Sequence, residues 1–196
     1  MSKLKLAVVI GSTREGRFAE KPAHWVADLA KADGAFEVEV IDLKDYPMAF
    51  YGDPAATTEQ SETAAKFKAK VQEFDAYIFT AAEYNHAPTA VLKNAIDHGA
   101  WVRKPVAFVG YGGVGGARAV EQLRQIAVEM EMASVKTGTH ILFPEYLAIV
   151  KGEKQISDFA HLVDAAKTML GQLAWWGQAL KAARDEEASA PLAKAS

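Results

Sequence analysis

The sequence predicts an α/β protein in which helices cover both faces of a parallel sheet. Five short apolar segments alternate with five segments of helical periodicity, as in repeated βαβ units. The first segment, Leu4–Ile10, is apolar except for Lys5, which is typical of a central parallel strand buried on both faces. The 196 residues contain no internal repeat and no linker, so we expect one doubly wound domain over residues 1–185, followed by a flexible tail at 186–196.

The strand predictions rest on short apolar or alternating segments that end at turn residues. In the second strand, Phe36, Val38 and Val40 alternate with glutamates, which indicates a position near a sheet edge. The five strands are assigned to residues 4–10, 36–41, 76–81, 105–111 and 135–143.

The helix predictions rest on apolar residues that recur every three or four positions. In the fourth helix, for example, Val120, Leu123 and Ala127 form one stripe. Pro88 is expected in the first turn of the third helix, where its missing N–H costs nothing. The five helices are assigned to residues 19–31, 59–74, 88–98, 117–132 and 157–183, and residues 43–58 to a long loop.

Charge and composition narrow the function classes. A formal net charge of −3 gives no basic surplus for nucleic acid, and without cysteine any redox role needs a bound cofactor. The histidines show no metal-ligand spacing, so no metal site is expected. The first apolar segment ends at Gly11, too early for a signal peptide or a membrane span. We therefore expect a cytoplasmic enzyme without a membrane or nucleic-acid partner.

Two strand orders are open for such a sheet, 3-2-1-4-5 and 2-1-3-4-5. The loops after strands 1 and 3 carry the most polar and aromatic chemistry in the chain. In the order 2-1-3-4-5 these two loops flank one crevice at the carboxyl ends of the strands, where open α/β sheets bind ligands. We therefore expect the order 2-1-3-4-5.

The loop after the first strand has the donors that a phosphate needs. Ser12 and Thr13 offer hydroxyls, Arg14 and Arg17 offer guanidinium groups, and the next helix offers free amides at its N-terminus. The loop is neither a Walker A motif nor G-x-G-x-x-G, so a terminal monoester such as that of FMN fits better than the pyrophosphate of NAD. Phe18 is expected to add its backbone amide and to cover the ribityl chain. The alternative is a solvated turn with incidental arginines.

The loop after the third strand is suited to a flat ring. Ala82 and Glu83 lead into Tyr84, Asn85 and His86 at the end of a buried strand. We expect Tyr84 to pack beside an aromatic ligand, while backbone groups and the Asn85 amide bind its polar edge. The role of His86 is left open between a proton donor, a hydrogen-bond partner and a bystander.

The loop at residues 110–115 matches G-x-G-x-x-G between a strand and a helix. Alone, this motif suggests a dinucleotide site, but it follows the fourth strand, and no acidic residue clearly ends the next strand. We therefore expect Tyr111, Gly112 and Gly113 to let the backbone approach a flat flavin ring, with the dinucleotide site as the alternative.

Taken together, these loops resemble those of one flavoprotein family. E-Y-N at 83–85 and L-K-N-A-I-D at 92–97 resemble the signature of the NADPH-dependent FMN reductases, flavodoxin-like proteins that include quinone, azo-dye and chromate reductases. The first loop is similar to the G-S-x-R-x-x-S of that family. The resemblance implies a flavodoxin-like fold, phosphate binding by Ser12 and Arg14, and an isoalloxazine ring beside the second loop.

The sequence departs from the family pattern at three positions. Ala82 stands where a proline is usual, Arg17 where many members have serine, and Ala19 where many have asparagine. The role of Arg17 is therefore open between a phosphate contact, a subunit contact and a surface position.

The resemblance implies an FMN-dependent NAD(P)H oxidoreductase in which NADPH or NADH reduces the flavin at N5. A quinone, free flavin, azo compound or oxyanion would then be reduced, and no dedicated acid or base is required. A homodimer or homotetramer is usual in the family, and Phe50, Tyr51 and Trp101 are candidate interface residues. The alternatives are a flavodoxin-type electron carrier and a Rossmann NAD(P) oxidoreductase that uses residues 110–115.

Overall fold

In the computed structural model, which describes residues 3–189, six parallel strands form one sheet. The strands are β1 (Leu4–Ile10), β2 (Phe36–Asp42), β3 (Ala76–Ala82), β4 (Pro105–Tyr111), β5 (Ala133–Ser134) and β6 (Thr139–Ile141). Their order is β2-β1-β3-β4-β5, and β6 also pairs with β4. The predicted order 2-1-3-4-5 is confirmed, and the order 3-2-1-4-5 is wrong.

Helices cover both faces of the sheet. They are α1 (Glu20–Asp33), α2 (Thr58–Gln72), α3 (Ala90–His98), α4 (Ala117–Glu129), α5 (Phe143–Val150) and α6 (Ala160–Ser189), with 3₁₀ turns at Leu43–Asp45 and Ile156–Asp158. The alternation of β1 explains the two layers. Leu6 and Val8 belong to the core under α1 and α6, whereas Ala7 and Val9 belong to the core under α2, α3 and α4.

The predicted fifth strand at 135–143 is wrong as a single element. Between β5 and β6, backbone groups form hydrogen bonds with side chains. The Thr137 N–H donates to Gln172 Oε1 (2.9 Å), and Arg124 donates to the carbonyl of Val135 (2.6 Å). After β6 the chain does not continue extended, because Pro144 lies in the first turn of α5. This short helix replaces the end of the predicted strand.

Three other expectations change in detail. The third helix begins at Ala90 and is capped by Thr89, whose hydroxyl accepts the N–H of Leu92 at 3.2 Å, so Pro88 precedes the cap and lies outside the helix. Trp101 is 1% exposed and donates its indole N–H to the carbonyl of Ile96, so it is a core residue. The last helix extends beyond residue 185 to Ser189, and the rest of the predicted tail lies outside the described residues.

Candidate functional site

Two neighbouring cavities open at the carboxyl ends of β1, β3 and β4. The aromatic cavity has a volume of about 200 Å³ and is lined by Arg14, Phe18, Glu83, Tyr84, Tyr111, Gly112, Gly113, Phe143 and Tyr146. The side cavity has a volume of about 440 Å³ and is lined by Ser12, Thr13, Arg14, Met48, Phe50, Tyr84, Thr89, Ala90, Val91 and Asn94. Arg14 and Tyr84 line both cavities. The crevice expected between the first loop, after β1, and the second loop, after β3, is therefore present.

The start of the first loop is tied to two other elements. The Thr80 hydroxyl of β3 accepts the Gly11 N–H at 3.0 Å and donates to the carbonyl of Val9 at 3.1 Å. The Thr89 hydroxyl donates to the carbonyl of Gly11 at 2.5 Å. A Cβ on Gly11 would lie 2.1 Å from the Thr80 carbonyl oxygen, so this close approach requires glycine. The loop leaves β1 from a fixed position.

Arg17 is bound by protein groups and does not line either cavity. Its guanidinium forms a two-pronged ion pair with Asp42, donates to the carbonyl of Ser12 at 2.6 Å, and contacts Glu20 at 2.8 Å. Burial raises the pKa of Asp42, but the hydrogen bonds from Arg17 and from the Lys44 N–H outweigh it and hold the pKa below its ordinary value. The contacts of Arg17 indicate that it positions the first loop.

Arg14 is exposed, and no carboxylate pairs with it among residues 3–189. Its guanidinium carbon lies 5.9 Å from the ring centroid of Tyr84, which places the charge at the boundary between the two cavities. The Tyr84 hydroxyl lies 3.4 Å from the buried Ser12 hydroxyl. A charge and two hydroxyls thus meet at one point of the site.

The second loop contains a tight turn. Tyr84 and Ala87 exchange two backbone hydrogen bonds, of 2.9 and 3.1 Å, and the two residues between them have positive φ (Asn85 50°, His86 70°). This geometry is that of a type I′ turn, in which asparagine is favoured. The Asn85 and His86 side chains are exposed and do not line the cavities; the turn presents Tyr84 to them.

Glu83 attaches this turn to α4. Its carboxylate, 3% exposed, accepts the Arg118 N–H at 3.0 Å and pairs with the Arg118 guanidinium, which also lies 2.6 Å from His86 Nε2. Gln122 donates to the carbonyl of His86 at 2.7 Å. Burial raises the pKa of Glu83, but the bonds from Arg118 lower it further, so the net shift is downward. Sequence reasoning did not identify Arg118 as the partner of Glu83.

The third loop forms another wall of the aromatic cavity. Gly112 has a φ of 147°, and a Cβ there would lie 3.2 Å from the Glu83 Cβ, whereas a Cβ on Gly113 would have no protein atom within 4 Å. Tyr111 is 7% exposed, and its hydroxyl has no hydrogen-bond partner within the described part of the chain. Burial raises the pKa of Tyr111, so the phenol stays protonated and can donate to a ligand.

The remaining wall comes from α5, which sequence reasoning missed. Phe143 and Tyr146 line the aromatic cavity, yet Phe143 was assigned to the end of a strand and Tyr146 to no element. The available signal was Pro144 followed by Glu145, a combination typical of a helix N-terminus. Ala82, a predicted site residue, is buried at the end of β3 and contributes only backbone position.

The donor set fits an aromatic phosphate monoester such as FMN. Ser12, Thr13 and Arg14 provide hydroxyls and a free cation, as a phosphate requires. The aromatic cavity offers ring surfaces and, beside Gly113, room for a flat group close to the backbone. Among the described residues, no group of three or more metal-ligating side chains occurs, and no helix is long and apolar enough to cross a bilayer.

The family model for NADPH-dependent FMN reductase matches residues 4–142. The chain belongs to the NADPH-dependent FMN reductase family. A Schizosaccharomyces pombe protein named NAD(P)H-dependent FMN reductase is 32% identical over 148 residues, which cover 71% of this chain and 74% of the relative. A Pseudomonas putida protein named quinone reductase is 32% identical over 136 residues, which cover 65% of this chain and 71% of the relative. The recognised resemblance is thereby confirmed.

Solved structures resemble this chain in fold. A flavoenzyme NAD(P)H:(acceptor) oxidoreductase from Paracoccus denitrificans superposes with a TM-score of 0.61 at 21% identity, covering 91% of this chain and 98% of that one. The doubly wound fold expected from the family is therefore confirmed. The family match ends at Leu142, one residue before α5 begins.

Proposed function

We propose that this member of the FMN reductase family is an FMN-dependent NAD(P)H oxidoreductase that reduces a small organic acceptor. The observation that carries the proposal is the aromatic cavity beside the unpaired Arg14, at the point where the strand order reverses between β1 and β3. The names of the relatives support the same chemistry, since they refer to FMN reductases and quinone reductases. NADPH and NADH are both candidate donors.

Each loop has a distinct part in the proposal. Ser12, Thr13 and Arg14 hold the phosphate, and Phe18 covers the adjoining chain of the cofactor. Tyr84 packs beside the ring. Further proposed cofactor contacts are the backbone of Ala82, Glu83, Asn85 and His86, and the residues Tyr111, Gly112 and Gly113. Arg17 holds the phosphate loop in place through Asp42 and the carbonyl of Ser12.

When bound, FMN would supply the two-electron chemistry, accepting hydride at N5 from the nicotinamide and passing it to the acceptor. The residues around it bind, orient and exclude water. The low pKa of Glu83 keeps this residue a carboxylate paired with Arg118, so it is poorly suited to act as an acid. The protonated Tyr111 phenol can donate a hydrogen bond into the cavity. We assign no catalytic acid or base.

The proposal extends to the acceptor, the assembly and the location. A quinone, free flavin or azo compound suits the aromatic cavity, because a flat ring can stack there. A homodimer or homotetramer is supported by Phe50 and Tyr51, which are 70% and 66% exposed beside the side cavity. A cytoplasmic location is proposed because pyridine nucleotides are available there. Size-exclusion chromatography with light scattering, and cell fractionation, test the last two points.

An absorption spectrum followed by an anaerobic NADPH titration tests the central proposal. The purified protein, supplied with FMN, should retain the flavin, and NADPH or NADH should bleach its visible absorbance within seconds. Flavin that stays oxidised with both nucleotides would instead favour a flavodoxin-type carrier. A protein that retains no flavin would contradict the FMN assignment.

A further inference from the structure

Four aromatic rings form a continuous series along one wall of the aromatic cavity. Tyr111 meets Phe18 edge to face at 5.2 Å between centroids, and Phe18 meets Tyr146 at 4.8 Å. Phe143 then stacks on Tyr146 at 6.1 Å with an interplanar angle of 14°. The series runs from the end of β4, across the first loop, to α5. It therefore joins the buried floor of the cavity to its rim.

Exposure separates Phe143 from the other members of the series. Phe18 and Tyr111 are 5% and 7% exposed and belong to the core, whereas Phe143 is 50% exposed. A half-exposed phenylalanine stacked on one neighbour contributes little core packing. At the rim of an aromatic cavity it provides apolar surface that a flat ligand can cover. Leu147, on the same exposed side of α5, is 36% exposed and does not line the cavity.

The backbone that carries Phe143 is held firmly. Glu145 accepts the Leu142 N–H at 2.7 Å and lies 2.6 Å from His161 Nε2 of α6. Ile149, 3% exposed, anchors the other end of α5 in the core. Phe143 therefore sits on a fixed element, as expected for a residue that shapes a binding site.

The family match divides the aromatic cavity into two parts. The walls formed by the first, second and third loops lie within the matched residues 4–142, whereas Phe143 and Tyr146 come after them in the chain. The cofactor-holding walls are thus covered by the family pattern, and the rim contributed by α5 is not.

We propose that Phe143 is a specificity-determining residue, which favours electron acceptors with two or more fused aromatic rings over single-ring acceptors. The inference rests on the proposed function. A larger flat acceptor that meets the bound flavin at the open side of the aromatic cavity extends to the rim and stacks on Phe143, whereas a single ring does not reach Phe143 and gains nothing from it. Tyr146 supports Phe143 from behind and is a positioning residue.

The test compares the FMN-loaded wild type with Phe143→Ala, Phe143→Tyr and Leu147→Ala. The acceptors are 1,4-naphthoquinone and 1,4-benzoquinone, with NADPH as donor. We expect Phe143→Ala to lower kcat/KM for naphthoquinone about three- to tenfold, the size of one lost aromatic contact, and to change the value for benzoquinone by less than about twofold. Phe143→Tyr should keep the wild-type preference for naphthoquinone over benzoquinone, because the aromatic ring is retained. Leu147→Ala removes an apolar side chain from the same side of α5 and should match the wild type.

Two binding measurements complete the test. The dissociation constant of FMN should change by less than about twofold in Phe143→Ala, since Phe143 lies at the rim and both the phosphate donors and the proposed ring contacts are untouched. The dissociation constant of naphthoquinone for the oxidised, FMN-loaded protein is measured from the flavin absorbance. In Phe143→Ala it should rise by about the same factor as kcat/KM falls. Equal losses for both quinones, a matching loss in Leu147→Ala, or a parallel loss of FMN affinity would overturn the inference. A wild type that NADPH does not reduce would instead overturn the proposed function.

Discussion

At the scale of single residues, two nearby arginines differ in what they bind. Arg17 is nearly buried and is bound by Asp42, Glu20 and the carbonyl of Ser12. Arg14 is exposed, and no carboxylate pairs with it in residues 3–189. The sequence makes both residues candidates for phosphate binding, because residue type alone does not reveal which guanidinium is already neutralised by a carboxylate. The free charge of Arg14 makes it the stronger candidate for an anionic ligand.

Replacing Arg14 with alanine should weaken FMN binding. The loss of one charge-assisted hydrogen bond corresponds to about 1.5–3 kcal/mol, or roughly 10- to 150-fold in the dissociation constant. Fluorescence titration of FMN measures this change. Lys21→Ala, which removes an exposed cation of α1 outside both cavities, is the control and should leave the affinity unchanged. Equal affinity in Arg14→Ala would remove Arg14 from the site.

Asp42→Asn should destabilise the protein in a pH-dependent way. The pKa of Asp42 in the fold lies below its ordinary value of 3.8, so its ion pair contributes stability above about pH 4 and loses it as the pH falls through the folded pKa. We expect the variant to lose about 3 kcal/mol of unfolding free energy at pH 7, and the difference from wild type to shrink below about pH 4. Denaturant unfolding between pH 7 and pH 3 measures this difference.

The exposed Asp28 provides the control for this experiment. It pairs with Lys31 at 3.1 Å on the surface of α1, where both side chains are more than half exposed. Asp28→Asn should therefore change the free energy of unfolding by less than about 0.5 kcal/mol at any of these pH values. A difference between wild type and Asp42→Asn that stays constant down to pH 3 would show that the ion pair is not the source of the stability.

At the scale of the elements, the third loop offers a direct test of the cavity wall. Gly113 has open space where a Cβ would lie and no positive φ, whereas Gly112 has a φ of 147° that any side chain would strain. Gly113→Val should therefore obstruct the cavity without disturbing the backbone. We expect at least about a tenfold loss in FMN affinity and an unchanged melting temperature of the FMN-free protein.

The matched control for Gly113→Val is Gly171→Val. Gly171 lies in α6, and a Cβ there would also have no protein atom within 4 Å. This variant should bind FMN as the wild type does. Full FMN affinity in Gly113→Val would mean that the ligand does not pass this part of the third loop.

The elements also show how far sequence patterns reach. The strands that end at the site are long apolar runs. The limits of β1 agree with those predicted, because its alternate residues face two different cores and are therefore all apolar except Lys5. The single strand predicted at residues 135–143 is wrong, because the backbone between β5 and β6 is held by the distant side chains of Arg124 and Gln172. The ion pairs Glu83–Arg118 and Arg17–Asp42 were missed for a related reason. Their partners are far apart in sequence, and only the folded chain brings them together.

At the scale of the whole molecule, ligand binding at this edge of the sheet should stabilise the entire domain. The site joins elements from both layers, so a ligand that binds only the folded state shifts the global unfolding equilibrium. At a free concentration about a hundred times its dissociation constant, FMN should add about 2.7 kcal/mol to the free energy of unfolding. This corresponds to a rise in melting temperature of about 5–10 °C. Differential scanning fluorimetry checks this expectation. Riboflavin, which lacks the phosphate, should give a smaller rise, and an equal rise would argue against a phosphate contact.

The hydroxyl of Thr80 has a consequence for the motions of the first loop. It holds both the N–H of Gly11 and the carbonyl of Val9, while Thr89 holds the carbonyl of Gly11. The Gly11 amide can therefore exchange its hydrogen with solvent only when β1 separates from β3, so its exchange should follow global unfolding. The amides of the exposed turn at Asn85 and His86 should exchange orders of magnitude faster. The site is thus rigid at Gly11 before any ligand arrives. The entropy cost of ordering on binding therefore falls on the exposed turn at Asn85 and His86.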